Sequence, residues 1–507
     1  MNKRQWASSL GGVILGLSVL TSCGYQAVPT NPLRVGGMQA VMTHLDPHHE
    51  WDGWFLMRYG VGETLFKLDD ALAIEPWLAL SYEEVDPLTW RIHLRPDVHF
   101  SNGKVMTPEA VIASLERSAQ VNKRAKSLQG ASYEVEDTAI LIHTAKEEPT
   151  LINDLTDPYT TIIDVTEPVG PDQAPVATGA YTITDYALYD HVTMDANPYY
   201  WAGPVGAQHL EFIQVRDMNT LEMALQTGEI DIAQGLSAQA ASIVEHNPSV
   251  KVLTTAQPRA YMLYFNMDKM TDLNVRKALL VSANRQAIGQ GALKGALTPA
   301  SGPFLESTIY GDKRDLGTFY RPEEVAPLLK ASGYHKNDTS GLWEKAGQPL
   351  TIHLGIYKRY ASLPLAVELQ NQWRQQGITV IIDQHENESF FTNHDFEVGI
   401  YTMITMPTGS PYAYLRDAMG TQGNANFGNY SNEHVDQTLA LLQADPTGKE
   451  SVAYVQDILA QGEADAAYAF FGFNNLTMGL NSRLEGYHAW PIDYYQMSYK
   501  VRRNDDE

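Results

Sequence analysis

Trp90-Arg91-Ile92-His93-Leu94-Arg95-Pro96-Asp97-Val98-His99-Phe100-Ser101-Asn102-Gly103, with Thr107-Pro108-Glu109-Ala110 after a three-residue gap, holds a strand, its stop, a turn and the start of a helix. Trp90 to Arg95 alternates apolar and basic side chains, the period of a half-buried strand. Pro96-Asp97 ends it and Ser101-Asn102-Gly103 supplies turn chemistry. Thr107 then reads as a helix N-cap, with Pro108 at the first helical position and the acid Glu109 in the first turn. Val111 and Leu115, with Ala110 and Ser114, give that helix its buried stripe.

Outward from this stretch, strands and helices alternate without low-complexity breaks. Strands are expected at 180–184 and 210–215, and a helix over 220–225 closes at Thr227-Gly228. Tyr261-Met262-Leu263-Tyr264-Phe265-Asn266-Met267 is almost unbroken apolar sequence, which predicts a central strand. Asn274 is expected to cap a helix running through Val275, Ala278 and Leu279, and Pro322 to open another that ends before Gly333. Residues 352–356, 363–376 and 378–382 read as strand, helix and strand, and a right-handed crossover would make that pair parallel. The class is α/β with at least two lobes.

Composition narrows function. The chain has 507 residues, 44% of them hydrophobic, which is enough for two or three packed units. A formal charge of −24 repels nucleic acid and anionic lipid, so neither is expected as a partner. Cys23 is the single cysteine. It follows a basic start (Lys3-Arg4), an apolar run from Gly11 to Leu20 and small residues Thr21-Ser22, the layout of a secretory signal. Leu20-Thr21-Ser22-Cys23 resembles a lipobox, so 1–22 are expected to be a leader, Cys23 the acylated first residue of the mature chain, and 23–32 a tether. No thiol would then remain for disulfides, metal sites or catalysis. The motifs glycine-x-serine-x-glycine, glycine-x-x-x-x-glycine-lysine and histidine-glutamate-x-x-histidine are absent, so no enzyme is expected.

Pro76-Trp77-Leu78-Ala79 before the opening stretch, and Gly179-Ala180-Tyr181, Asn197-Pro198-Tyr199-Tyr200-Trp201, Gly228-Glu229-Ile230-Asp231, Asn274 to Leu279, Asn284-Arg285-Gln286-Ala287-Ile288 and Leu328 to Tyr334 after it, keep a familiar order. Together they resemble the extracytoplasmic substrate-binding proteins of ABC importers in the oligopeptide, dipeptide and nickel class, solute-binding family 5. The resemblance covers nearly the whole mature chain. It implies a two-lobed periplasmic-binding fold of the Venus-flytrap type with an extra subdomain in lobe one. Lobe one would take 33–257, lobe two 258–472, and 473–507 would return to lobe one, with hinge crossings near 257–261 and 469–473. It implies a monomer, extracytoplasmic and held to the membrane through its lipid alone, that captures a ligand in the interlobe cleft for a permease and its ATPase. A sensing lipoprotein of the same fold, presenting a peptide to a receptor, is the alternative. No cofactor is implied; nickel or another metal in a chelate would be cargo.

Peptide binders of this family carry an acid in lobe two that pairs with the peptide ammonium. The matching stretch here, 398–416, has no acid. A buried ammonium without a counter-charge costs several kcal/mol, which argues for a chelate, whereas the family's larger peptide-binding membership argues for peptides. His44, His48 and His49 follow the first strand in a region that lines the cleft in the family. Imidazole suits nickel, copper and zinc, so His44 and His48 are the candidate metal ligands. Trp51, Trp54, Tyr401, Met403, Met406 and Tyr412 are candidate pocket walls, with Tyr59 and Tyr414 as further aromatic faces. Arg124 falls near a family arginine that holds a ligand carboxylate.

Overall fold

Strand, turn and helix form where the opening stretch places them in the computed structural model, which describes residues 31–38 and 44–504. Cys23 and the expected leader lie outside the described residues. Thr89–Leu94 is a strand, and Pro108–Val121 a helix whose cap Thr107 accepts a hydrogen bond from the Ala110 N–H, an interaction worth about 1 kcal/mol. Gly103 sits at φ +84°, and a Cβ there would meet the Tyr199 ring at 3.1 Å, so the turn requires glycine. The strand belongs to a four-stranded antiparallel sheet in the order Ala79–Asp86, Thr89–Leu94, Ala139–His143, Ser132–Glu136. Trp90, Ile92 and Leu94 pack with Ile140 and Ile142 against Val111 and Leu115 of the helix.

A second, eleven-stranded sheet carries the rest. Its strands are β1 Leu33–Gly37, β2 Tyr181–Ala187, β3 His191–Ala196, β4 His209–Gln214, β5 Ile232–Gln234, β6 Val250–Phe265, β7 Leu297–Pro299, β8 Thr351–Tyr357, β9 Thr379–His385, β10 Val398–Ile404 and β11 Tyr468–Asn481. The order is β9-β8-β10-β6-β11-β5-β1-β4-β3-β2, with β7 against β11. Two parallel groups, β5-β1-β4 and β9-β8-β10, flank the long antiparallel pair β6–β11. The apolar run from Tyr261 is the fully buried end of β6, and β8, the helix Ser362–Gln375 and β9 make the expected parallel crossover.

The β6–β11 ladder breaks once along its length. Val250–Ala256 pairs with 475–481 and 260–264 with 468–473, with a register shift between Ala256 and Ala260. Gln257, Pro258 and Arg259 fall in the gap; proline has no N–H to give to a ladder. One helix start differs from the sequence expectation. Asp272, not Asn274, is the cap: its carboxylate accepts from the N–H groups of Asn274 and Val275. Asn274 therefore stands inside the first turn, its own N–H already taken by the Asp272 carboxylate.

Candidate functional site

In open α/β sheets, ligands bind where parallel strands end at their carboxyl side. Here both parallel groups end on one cleft of about 740 Å³. Gly37 ends β1 and Met38 follows it, Ile213 is the last residue but one of β4, Gln234 ends β5 and Gly235 follows it, Tyr360 and Ala361 follow β8, and Ile404 ends β10. The interrupted ladder contributes Gln257, Pro258, Arg259 and Asn474, and the helix Asp52–Arg58 adds Trp54, Phe55 and Arg58. The cleft thus opens between the two parallel groups, beside the break in the strands that join them.

Its ionic lining is sparse. Asp493 is the lining carboxylate, and it is engaged: Arg58 Nη2 lies 2.5 Å from one oxygen and the Trp54 indole N–H donates to the other at 3.0 Å. The Arg58 guanidinium also stacks over the Trp54 and Phe55 rings. The Arg259 side chain has no hydrogen bond or ion pair among the described residues; it packs on the Tyr360 ring, 5.1 Å from Cζ to centroid. Gln234 donates to Gln496 across the floor.

The histidine cluster regroups. His44 and His49 stack at 4.2 Å, and His49 Nδ1 lies 2.9 Å from an Asp52 oxygen. One ligating atom from each of His44, His49 and Asp52 falls within 4.8 Å of the others, room for one metal ion. His48 is not part of this group. It is fully buried, with Nε2 at 2.8 Å from the Thr161 carbonyl and Nδ1 at 2.9 Å from Arg117. Burial, with Arg117 beside it, pulls its pKa down to about 4. The structure thus brings His44 together with His49 and Asp52 and not with the expected His48, whose two nitrogens face Thr161 and Arg117.

Arg124 is also occupied. It lies 2.9 Å from Asp157 and 3.6 Å over the Trp51 ring, behind Trp54, which faces both this niche and the cleft. Trp51 is 56% exposed. Tyr401 belongs to a ring cluster with Tyr357, Phe391 and Phe427, and Met406 is buried. Met403 packs on the same core, and Tyr412 lies under Arg416. None of Tyr401, Met403, Met406 and Tyr412 is among the cleft's lining residues. Strand parity explains much of this: β10 reaches the cleft through Ile404, while Tyr401 and Met403 point to the opposite face. Tyr59 lines the cleft, whereas Tyr414 is core. Arg58, Arg259, Tyr360 and Asn474 were not read from the sequence. The rule of carboxyl strand ends, applied to Lys358-Arg359-Tyr360 after residues 352–356, would have found Tyr360.

With this geometry in view, residues 73–426 match the model of the bacterial extracellular solute-binding proteins, family 5. The chain belongs to this family. Its members are non-catalytic substrate-binding components of ABC importers, and they carry solutes as cargo. The nickel-binding protein NikA of Staphylococcus aureus is 26% identical over 450 residues, covering 88% of this chain and 89% of that protein. The glutathione-binding protein GsiB of Salmonella typhi is 30% identical over 430 residues, covering 78% of this chain and 80% of that protein. The crystal structure of S. aureus NikA in complex with Ni(L-His)2 superposes with a TM-score of 0.73 at 25% identity, over 93% of this chain and 100% of that one. No helix among the described residues is long and apolar enough to cross a membrane.

Proposed function

We propose that this chain captures a small metal chelate of the nickel–histidine kind and delivers it to a membrane permease powered by an ATPase. The observation that carries the chelate over the peptide is the charge of the cleft. Its lining carboxylate, Asp493, is held by Arg58 and Trp54. The ammonium of a peptide would be buried without a counter-charge, at several kcal/mol. The nickel-binding relative and the Ni(L-His)2 complex support this reading. His44, His49 and Asp52, none of which is among the cleft's lining residues, are the protein's own candidates for the metal.

In this proposal 33–257, with the four-stranded sheet as its extra subdomain, and 473–507 form one lobe, and 258–472 the other. The hinge is the ladder break at 257–259, opposite Asn474, and closure about it buries the cargo. Cys23 anchors the monomer outside the cytoplasmic membrane through lipid; palmitate labelling should vanish in Cys23→Ala.

Calorimetry with nickel plus L-histidine, alongside tri-alanine without metal, tests the cargo. Binding of the nickel–histidine mixture, weakened in His44→Ala/His49→Ala, is expected. Tight binding of tri-alanine with none of nickel–histidine would return the chain to the peptide class, which the glutathione-binding relative represents.

A further inference from the structure

We propose that a second cavity, separate from the cleft, binds a small carboxylic acid with an apolar body, and that Arg285 receives its carboxylate. The cavity measures about 620 Å³ and shares no lining residue with the cleft. It lies between the helix Leu273–Val281, the segment 301–324, the end of the helix Ser451–Ala464 and the first residues of β11. The proposal stands whichever solute the cleft carries.

The first observation is a buried cation with donors to spare. Arg285 lines the cavity and is 5% exposed. Its one hydrogen bond among the described residues runs from Nε to the Phe470 carbonyl at 2.8 Å, and Nη1 is buried with no partner among them. A guanidinium has five N–H donors, and leaving them unmet away from water is costly. The rings of Phe319 and Phe471 hold the group in place, with centroids 4.7 and 5.5 Å from Cζ. Burial pulls its pKa down to about 10, which still leaves it cationic at neutral pH.

The second is the charge balance. Lys277, Arg285, Arg314 and Arg321 line the cavity together with Asp312, Glu324 and Glu463. Arg314 reaches Asp312 at 2.8 Å and Glu463 at 2.9 Å, and Arg321 reaches Glu324 at 2.7 Å. All three acids are thus held by Arg314 and Arg321. Arg285 and Lys277 have no ion pair among the described residues. In a chain of net charge −24, four cations against three acids leave this cavity one positive charge in excess. An anion is the partner such a site lacks.

The third is the chemistry of the walls. Leu280, Phe319, Leu328 and Leu459 are half-buried and also line the cavity. An inorganic anion on Arg285 would leave this apolar surface uncovered. An acid with a short hydrocarbon tail covers it, while its two oxygens meet guanidinium N–H groups.

Calorimetry with hexanoate, hexanamide and inorganic phosphate tests the site in wild type, Arg285→Gln and Ala460→Phe. Ala460 is an exposed residue of the cavity wall on the helix Ser451–Ala464, so a ring there occupies the cavity and leaves Arg285 in place. Wild type should bind hexanoate about tenfold or more tightly than hexanamide, as for a charge-assisted hydrogen bond, and more tightly than phosphate. Ala460→Phe should keep its circular dichroism and lose hexanoate. Arg285→Gln should lose the preference for acid over amide; if it does not fold, Ala460→Phe decides. The site is overturned if wild type does not bind hexanoate at millimolar concentration, or binds acid and amide equally. It is also overturned if phosphate binds as tightly as hexanoate, or if hexanoate binding survives in Ala460→Phe.

Discussion

Arg58, Arg117 and Arg124, in the N-terminal half, each hold a carboxylate: Asp493 at 2.5 Å, Asp46 at 2.6 Å and Asp157 at 2.9 Å. Those acids are 12%, 7% and 5% exposed, so each pair is largely removed from water. Arg259, on the opposite cleft wall, holds none among the described residues and packs on the Tyr360 ring. The same side chain therefore does two jobs. Where its partner belongs to the chain, the pair fixes architecture: Arg117 orients Asp46 and His48, and Arg58 joins the helix Asp52–Arg58 to the C-terminal return. Where no partner stands among the described residues, the side chain fixes no internal pair. Three predictions would break or sharpen this contrast.

The largest effect should come from the paired side. Asp493→Ala removes the carboxylate that Arg58 Nη2 and the Trp54 N–H now donate to, while Arg58 Nε keeps the backbone carbonyl of residue 493. Removing one partner of a buried pair costs about 3–5 kcal/mol. Urea unfolding of the variant should show a loss of that order. A loss under about 1 kcal/mol would mean that the pair is ornamental and that pairing does not separate the two groups of arginines.

Glu63 is the converse case, a buried acid among donors with no ion pair. Thr178, Tyr200 and Trp201 donate to it, and burial raises its pKa from 4.5 to about 7. A raised acid favours the folded state while it is protonated. Its contribution is complete below about pH 4.5 and is lost as pH rises through about 7, amounting to about 3 kcal/mol at one pKa unit per 1.36 kcal/mol. Glu63→Gln cannot ionise. The stability difference, variant minus wild type, should therefore grow in the variant's favour between pH 4.5 and 8. A flat difference would show that the three donors hold Glu63 ionised throughout.

How much of this was legible in sequence follows the range of each interaction. The strand at Thr89–Leu94, the Thr107 cap and the parallel pair β8–β9 depend on neighbours a few residues apart, and periodicity and cap chemistry reach that far. The site depends on neighbours hundreds of residues apart. Arg58 meets Asp493 and Tyr261 meets Asn474 only after the sheet is assembled. His48 was nominated as a ligand because nothing local says that Thr161 and Arg117 occupy its two nitrogens. The absence of an acid in 398–416 was readable, because an absence within one stretch is local. The free arginines were not, because showing that Arg259 has no partner requires the whole fold.

The smallest effect is the sharpest discriminator. Arg259→Gln, made alone in the protein without cargo, should change unfolding free energy by no more than about 0.5 kcal/mol, the range of substitutions that break no internal pair. It breaks no ion pair among the described residues, and the loop keeps its backbone tie from Ala361 to Tyr261. The Tyr360 ring loses a cation packed against it, worth about 0.5–1 kcal/mol where exposed, and Arg359 remains beside the same ring. Asp493→Ala and Arg259→Gln, measured side by side under one denaturant, should thus differ by several kcal/mol although both alter a charge that lines the same cleft. If Arg259→Gln proves as costly as Asp493→Ala, then Arg259 supports the fold as Arg58 does, and the opposite wall of the cleft is architecture as well.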